Sequence, residues 1–323
     1  MSLHLPPPPA APVPAPAFGA DPVTALDNAV WALAALIATL RETSTAPLAD
    51  ILAADPLRTA VLEAVGLVES NHDGGFIPHP SLRFGRPLGE AKLSMLRQAV
   101  SAAAQDGNDA AGAGWAGHDD EVLLGHGRAS AVVGRMLATK VVPGLAGLAD
   151  RLDVPGSRIL DVGTGVAAIA IVLARAFPRA QVDGIDILER VLELAQAEVA
   201  SAGDVAGRVS LRHLDASELA EQSSYDLIWV PAPFLTEAAL TAALPRAIDA
   251  LRPGGWIVVA ANPVPGDALP AAVGRWTAAL HHGSAIDTDR VAEAVAESGL
   301  EETRRFPTVT GGPVLLAARR PTR

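Results

Sequence analysis

Cysteine is absent from the 323 residues. Disulfides, thiolate metal ligands and a cysteine nucleophile are thereby excluded, which is compatible with a reducing compartment. Basic residues are also scarce. Lys+Arg 25 against Asp+Glu 36 leaves a formal charge of −11, a balance that repels polyanions and argues against broad attachment to nucleic acid or acidic lipid. The opening MSLHLPPPPA has neither a basic start nor an apolar stretch long enough for a signal peptide. The most apolar early run, residues 29–40, falls short of the roughly twenty residues that cross a bilayer and predicts a core helix. These absences together predict a cytoplasmic chain with no membrane and no nucleic-acid partner.

What is present points to a well-packed protein. A hydrophobic content of 50% with 19% charged residues supports a substantial core, and the length suits two domains. Prolines crowd residues 6–16, separated mostly by alanine, so residues 1–20 read as an extended, solvated leader. From Asp21 the pattern turns helical. Leu26, Val30, Leu33, Ile37 and Leu40 recur at spacings of three and four, which places them on one helix face. A second helix is predicted over 47–54, and a third begins after Asp55 with Leu57, Val61, Leu62 and Val65 as its apolar stripe. Asn71 to Gly75 is turn chemistry and Gly75-Phe76-Ile77-Pro78 a short strand. Three helices, a turn and a strand suggest a winged-helix-like unit within a cap spanning 21–145. Its third helix offers only Arg58 against two glutamates, so packing or dimerisation suits it better than reading DNA. Residues 102–117 are small, Gly-rich and aperiodic, a flexible loop in which Trp115 either closes over a ligand or pins the loop to the core.

From about residue 146 to 323 the chain changes character. Runs such as RILDVG, QVDGID, RVSLRHL, YDLIWV and WIVVAA alternate with helical stretches, the signature of an α/β, doubly wound, mostly parallel sheet with its ligand at the carboxyl ends of the strands. ETRRFP and PVLLAA, flanking Thr310-Gly311-Gly312-Pro313, read as a terminal hairpin. The first strand ends in Asp161-Val162-Gly163-Thr164-Gly165 and runs into an apolar helix. Two glycines there let the backbone turn and a ligand approach a helix N-terminus with no Cβ in the way. Gly163-x-Gly165-x-x-Ala168 equally satisfies a dinucleotide fingerprint, so the loop alone leaves a nicotinamide oxidoreductase open. Asp186, closing the second strand just before Ile187, suits a ribose diol; its competing role is capping the segment from Leu188, and Asp183 is the neighbouring alternative.

The motifs ILDVGTGVA, VDGID, RHLDASEL, YDLIWVPAPF and LRPGGWIVV stand in the order and spacing of a class I S-adenosylmethionine-dependent methyltransferase, which the half from Arg158 to Arg320 resembles. The resemblance implies a seven-stranded Rossmann-like sheet and S-adenosyl-L-methionine as cofactor. It also implies that Asp161, Gly163, Thr164 and Gly165 shape the pocket for the methionine moiety. Asp186 with Ile187 then holds the ribose, and Asp215 with Ala216 meets the adenine; a helix cap is the competing role for Asp215. The N-terminal helices are similar to the covering and dimerising part of small-molecule O-methyltransferases. The segment Gly125-His126-Gly127-Arg128-Ala129-Ser130 looks like a cofactor- or substrate-facing element.

Two departures bear on mechanism. The Asn/Asp-Pro-Pro-aromatic motif of amine-methylating relatives is replaced by Val230-Pro231-Ala232-Pro233-Phe234, and the histidine that plant-type O-methyltransferases carry after that strand is missing. The acceptor is therefore expected to be a small molecule, with Phe234 and Trp115 as its contacts. If a base is needed, His126 and then His118 are the choices, since an imidazole titrates near neutrality. His281-His282 reads as a solvated helix end, with no ligand set for a metal. A non-catalytic protein that keeps the cofactor pocket is the remaining alternative.

Overall fold

The computed structural model describes residues 21–104, 114–263, 266–284, 286–308 and 312–322. The proline-rich leader and most of the Gly-rich loop before Trp115 lie outside the described residues. The chain forms two compact units, residues 1–83 and 84–323.

In the first unit, α1 (Pro22–Glu42), α2 (Leu48–Ala54) and α3 (Pro56–Ala64) are followed by β1 (Val68–Ser70) and β2 (Phe76–Pro78), paired antiparallel with Val68 opposite Pro78. The helix starts are local chemistry. Asp21 accepts from the Val23 amide and Asp55 from that of Arg58, and Pro22 and Pro56 occupy the first turns that follow. The expectation of a core helix is corrected here. The helix begins at Pro22, as the pattern from Asp21 suggested, so the apolar run extends beyond residues 29–40, and the 21 residues are long and apolar enough to cross a membrane by length and composition. Only Ala32, Ile37, Thr39 and Leu40 are buried in it. Of the residues assigned to the apolar faces, Leu26 and Val30 of α1 and Leu57, Val61 and Val65 of α3 are exposed, because two short helices and a ribbon cannot cover so wide an apolar surface.

The second unit opens with α4 (Gly85–Ala103) and α5 (Asp120–Met136), which pack on each other. A π-helical turn over Leu137–Val141 and the short helices α6 (Val142–Gly144) and α7 (Leu148–Leu152) lead into the sheet. Its strands are β3 (Arg158–Val162), β4 (Gln181–Asp186), β5 (Val209–His213), β6 (Tyr225–Pro231), β7 (Leu251–Ala261), β8 (Glu301–Phe306) and β9 (Val314–Arg319). They lie in the order β5-β4-β3-β6-β7-β9-β8, and β9 alone runs antiparallel to the other six. Between them run α8 (Ala168–Ala176), α9 (Glu189–Ser201), α10 (Glu237–Ala250), α11 (Ala268–Leu280) and α12 (Thr288–Glu297). The expected seven-stranded, doubly wound sheet and the terminal hairpin are thus present. β6 is buried at every position, as a strand covered on both faces must be. The division into units falls at residue 84, whereas the composition suggested 146, because α5 packs against α8 and so joins the sheet-bearing unit.

Order of strands decides where a ligand can sit. β3 is flanked by β4 on one side and β6 on the other, so chain direction across the sheet reverses there and a crevice opens at the carboxyl ends of these strands.

Candidate active site

The crevice is a cavity of about 550 Å³. At one end, the backbone after β3 takes three left-handed residues in quick succession: Gly163 at φ 60°, Gly165 at φ 55° and Ala167 at φ 62°. Glycine makes the first two inexpensive, and a Cβ at Gly165 would meet nothing within 4 Å, so the loop presents bare backbone to open space. The loop is tied down by its neighbours. Thr164 donates its amide to the Ile185 carbonyl at 2.9 Å and its hydroxyl to Asp161 at 2.8 Å.

Asp186 stands at the end of β4 and accepts from the Gly165 amide at 2.9 Å and the Leu188 amide at 3.0 Å. Both oxygens are engaged with backbone, yet each carboxylate oxygen keeps lone-pair capacity for a further donor. Asp186 is not the cap of α9, which starts at Glu189 with Leu188 as its N-cap. Asp183 is removed as an alternative. It faces Arg158 at 2.6 Å and the Ser210 hydroxyl, and is no part of the cavity wall. Asp215 caps the turn Ala216–Glu218 by accepting from the Ser217 amide at 2.8 Å, and with Ala216 and Ile187 it also lines the cavity. Cap and wall are therefore compatible in one residue.

Asp161 is 1% exposed, and burial pushes its carboxyl up to about 7 against the opposing hydroxyl bond from Thr164, with Asp186 adding a further upward push. Burial likewise raises Asp186, countered by its backbone donors. This end of the cavity is thus lined by three carboxylic acids: Asp161, Asp186 and Asp215.

The other end is built of rings. His126 on α5 lies 4.7 Å from Trp115 and 5.2 Å from Phe234, centroid to centroid, while Trp115 and Phe234 meet edge to face at 5.6 Å. Trp115 sits in a single 3-10 turn over Gly114–Gly117, packs against the buried cluster of Leu123, Val166 and Val191, and lines the cavity. His118 is 3% exposed behind Trp115, bonded to Ser101, and is not in the cavity wall. That corrects its place among the candidates, since a base must reach the reacting atoms. Burial holds His118 below the usual imidazole range and pushes His126 down to about 4, with His281 and His118 adding to the latter.

His281 and His282 are the residues that sequence reasoning missed. They do stand at a helix end, His281 as the C-cap of α11 and His282 exposed beyond it, but both also line the cavity, and His281 stacks on Trp115. The loop that carries them is drawn in by Ser284, whose hydroxyl donates to the Ala232 carbonyl, and by Asn262, whose amide donates to the Ser284 and Ile286 carbonyls. Gly283 permits the approach, since a Cβ there would fall 2.1 Å from the Pro233 carbonyl oxygen. The Gly-Ser spacing after the two histidines was the only local signal of this.

Residues 159–255, which carry the loop, both strand-end acids and the turn before β7, match the family described as methyltransferase domain. The chain carries a methyltransferase domain. An 89-residue stretch is 38% identical to a ribosomal protein uL3 glutamine methyltransferase of Bordetella pertussis, covering 28% of this chain and 29% of that protein. The chain spans about a third of the length of the curated relatives it matches. Over most of its length, the chain shares its fold with the S-adenosylmethionine-dependent methyltransferase SibL in its apo form. The TM-score is 0.62 at 20% identity, over 93% of this chain and 98% of that one. Human N-acetylserotonin methyltransferase, solved with its S-adenosylmethionine, gives a TM-score of 0.59 at 14% identity over 92% and 94%.

Proposed function

We propose that the chain is an S-adenosylmethionine-dependent methyltransferase acting on an oxygen, nitrogen or carbon atom of a small molecule. The observation that carries this reading is the open, left-handed backbone at Gly163 and Gly165 beside three carboxylic acids. The buried Asp161 has no cationic partner among the described residues, and an ammonium group would supply one. Asp186, poised against the loop amide, has capacity left for a ribose diol, and Asp215 with Ala216 forms the wall against which the nucleoside base would lie. A dinucleotide fits this end poorly, because its pyrophosphate would bring anions to the glycine loop beside Asp161 and Asp186.

When bound, the cofactor supplies a sulfonium-linked methyl that is already activated toward an in-line nucleophile. The work left to the chain is alignment and exclusion of water. Trp115, His126, Phe234 and Trp229 form the apolar wall at the end where an acceptor would enter. A neutral His126 with its proton affinity lowered is a weak base, so the reading favours acceptors that need little deprotonation or lose their proton to solvent. Exposed apolar side chains on the first unit, Val23, Leu26 and Trp31 of α1 with Leu57 of α3, support a homodimer, which sedimentation velocity would test.

Millimolar S-adenosylhomocysteine is expected to raise the melting temperature while NAD leaves it unchanged, and the reverse result rejects the proposal. A labelled-methyl screen against phenols, amines and carboxylic acids then separates an enzyme from a protein that only binds the nucleoside.

A further inference from the structure

Asp186 is held by a short run of hydrogen bonds that ends outside the cavity. β4 and β5 are parallel and finish together, with Asp186 in register with His213. The Leu214 amide then donates to the Asp186 carbonyl at 3.0 Å, and the ladder stops. Only Ile187 and Leu188 separate β4 from α9. The peptide joining them has no strand beside it, and side chains hold both of its polar groups instead. Its N–H, that of Leu188, donates to Asp186 Oδ1 at 3.0 Å. Its carbonyl, that of Ile187, accepts from His213 Nε2 at 2.9 Å.

The direction of this last bond is fixed by chemistry. A carbonyl oxygen only accepts, so Nε2 carries the proton. His213, the Ile187–Leu188 peptide and the Asp186 carboxylate therefore follow one another donor to acceptor, and each bond polarises the next. The second Asp186 oxygen accepts from the Gly165 amide at 2.9 Å, which sets the carboxylate between the glycine loop and this relay. Burial opposes charge on Asp186, and His213 is among the groups that offset it. His213 itself is exposed and is not among the wall residues of the cavity, whereas Asp186, Ile187 and Leu188 are. Without its N–H the Ile187 carbonyl is left to water, which holds it in no single direction. The peptide plane can then rotate and carry the Leu188 N–H away from Asp186.

We infer that His213 is a positioning residue for nucleoside binding: acting through the Ile187–Leu188 peptide, it fixes the Asp186 carboxylate in the direction a ribose diol requires. This rests on the cofactor reading given above and extends it to a side chain outside the cavity wall. A bond at so exposed a place contributes little to folding, so its effect is expected in affinity rather than in stability.

Calorimetry of the full chain with S-adenosylhomocysteine tests it. His213→Ala is expected to weaken binding about fivefold, the loss that one solvated hydrogen bond supports, while the melting temperature falls by no more than about 3 °C. His213→Gln, whose side-chain N–H can reach the same carbonyl, should restore affinity to within about twofold of the wild type. A double-variant cycle then separates this role from a purely structural one. Once Asp186→Ala has removed the carboxylate, adding His213→Ala should cost almost nothing further, because the relay no longer ends on a ligand-binding group. Unchanged affinity in His213→Ala overturns the inference. So does a loss that His213→Gln leaves in place, or one that persists undiminished beside Asp186→Ala. If the wild-type chain does not bind the nucleoside at all, the cofactor reading fails and takes this inference with it, whereas wild-type binding that His213→Ala leaves untouched removes only His213.

Discussion

Trp115 and His281 lie face to face, their ring centroids 4.4 Å apart and their planes 18° from parallel. One comes from a 3-10 turn before α5 and the other from the end of α11, so this stack closes the ring-lined end of the cavity across the sequence of the domain. Burial, with His118 5.1 Å away adding to it, pushes His281 down to about 4, so the ring in the stack is uncharged at neutral pH.

The first prediction concerns acid. Burial pushes His126 and His281 down to about 4, while unfolded imidazoles take up protons near 6.5. Between those values the unfolded chain binds more protons than the folded one, so stability rises with pH through that window and is lost on acidification. Urea midpoints measured from pH 7 to pH 5 should fall, and His281→Leu should flatten the decline. An undiminished slope in that variant would remove His281 from the account.

Asp161 acts in the opposite sense. Its folded value of about 7 lies above the unfolded value near 3.8, so the folded chain binds the extra proton between them, and that contribution to stability disappears as pH rises toward 7. An ammonium group placed beside Asp161 favours the carboxylate, so nucleoside binding expels the proton and its affinity should climb with pH, by at most about tenfold per unit below 7. Calorimetry of S-adenosylhomocysteine in buffers of differing ionisation enthalpy should register proton release. Asp161→Asn should abolish both the release and the pH dependence.

Asp186→Ala removes two acceptors of backbone amides as well as the proposed ribose contact. A cost of about 1–3 kcal/mol in folding is expected from the orphaned amides. Loss of nucleoside affinity should be larger, tenfold or more, when measured by calorimetry at a temperature where the variant is folded. Unchanged affinity rejects the ribose assignment.

Gly127 on α5 packs against the glycine loop after β3. A Cβ there would fall 2.1 Å from a methyl of Val166, a short branched side chain with little room to yield. Gly127→Ala should lower the melting temperature by several degrees and weaken S-adenosylhomocysteine binding, and the double variant Gly127→Ala/Val166→Ala should recover much of both.

At the opposite end of β6, Asp226 is 3% exposed and accepts from Arg151 at 2.9 Å, Arg252 at 2.5 Å and the Arg158 amide at 3.0 Å. Asp226→Ala strands two guanidinium groups, and about 3 kcal/mol of destabilisation is expected, the lower part of the range because both arginines keep contact with water. Denaturant unfolding checks it, and nucleoside affinity of the folded fraction should be unchanged.

The alternation of strand and helix, the glycines at 163 and 165 and the acid at 186 were readable along the chain, because each is a local requirement: a period, a backbone dihedral, the end of a strand. The helix starts at Asp21 and Asp55 were readable for the same reason. Exposure of the apolar stripes on α1 and α3 was not, since periodicity reports which residues share a face and not whether anything covers it.

By itself the sequence determined the sheet-bearing domain and the acidic end of its cavity. Only the tertiary structure decided the ring-lined end. There Trp115, His126, Phe234 and His281 arrive from four separate segments, and the protonation of the two histidines depends on burial and on neighbours that no linear spacing encodes. Backbone geometry is dictated within a few residues, whereas desolvation is a property of the packed whole.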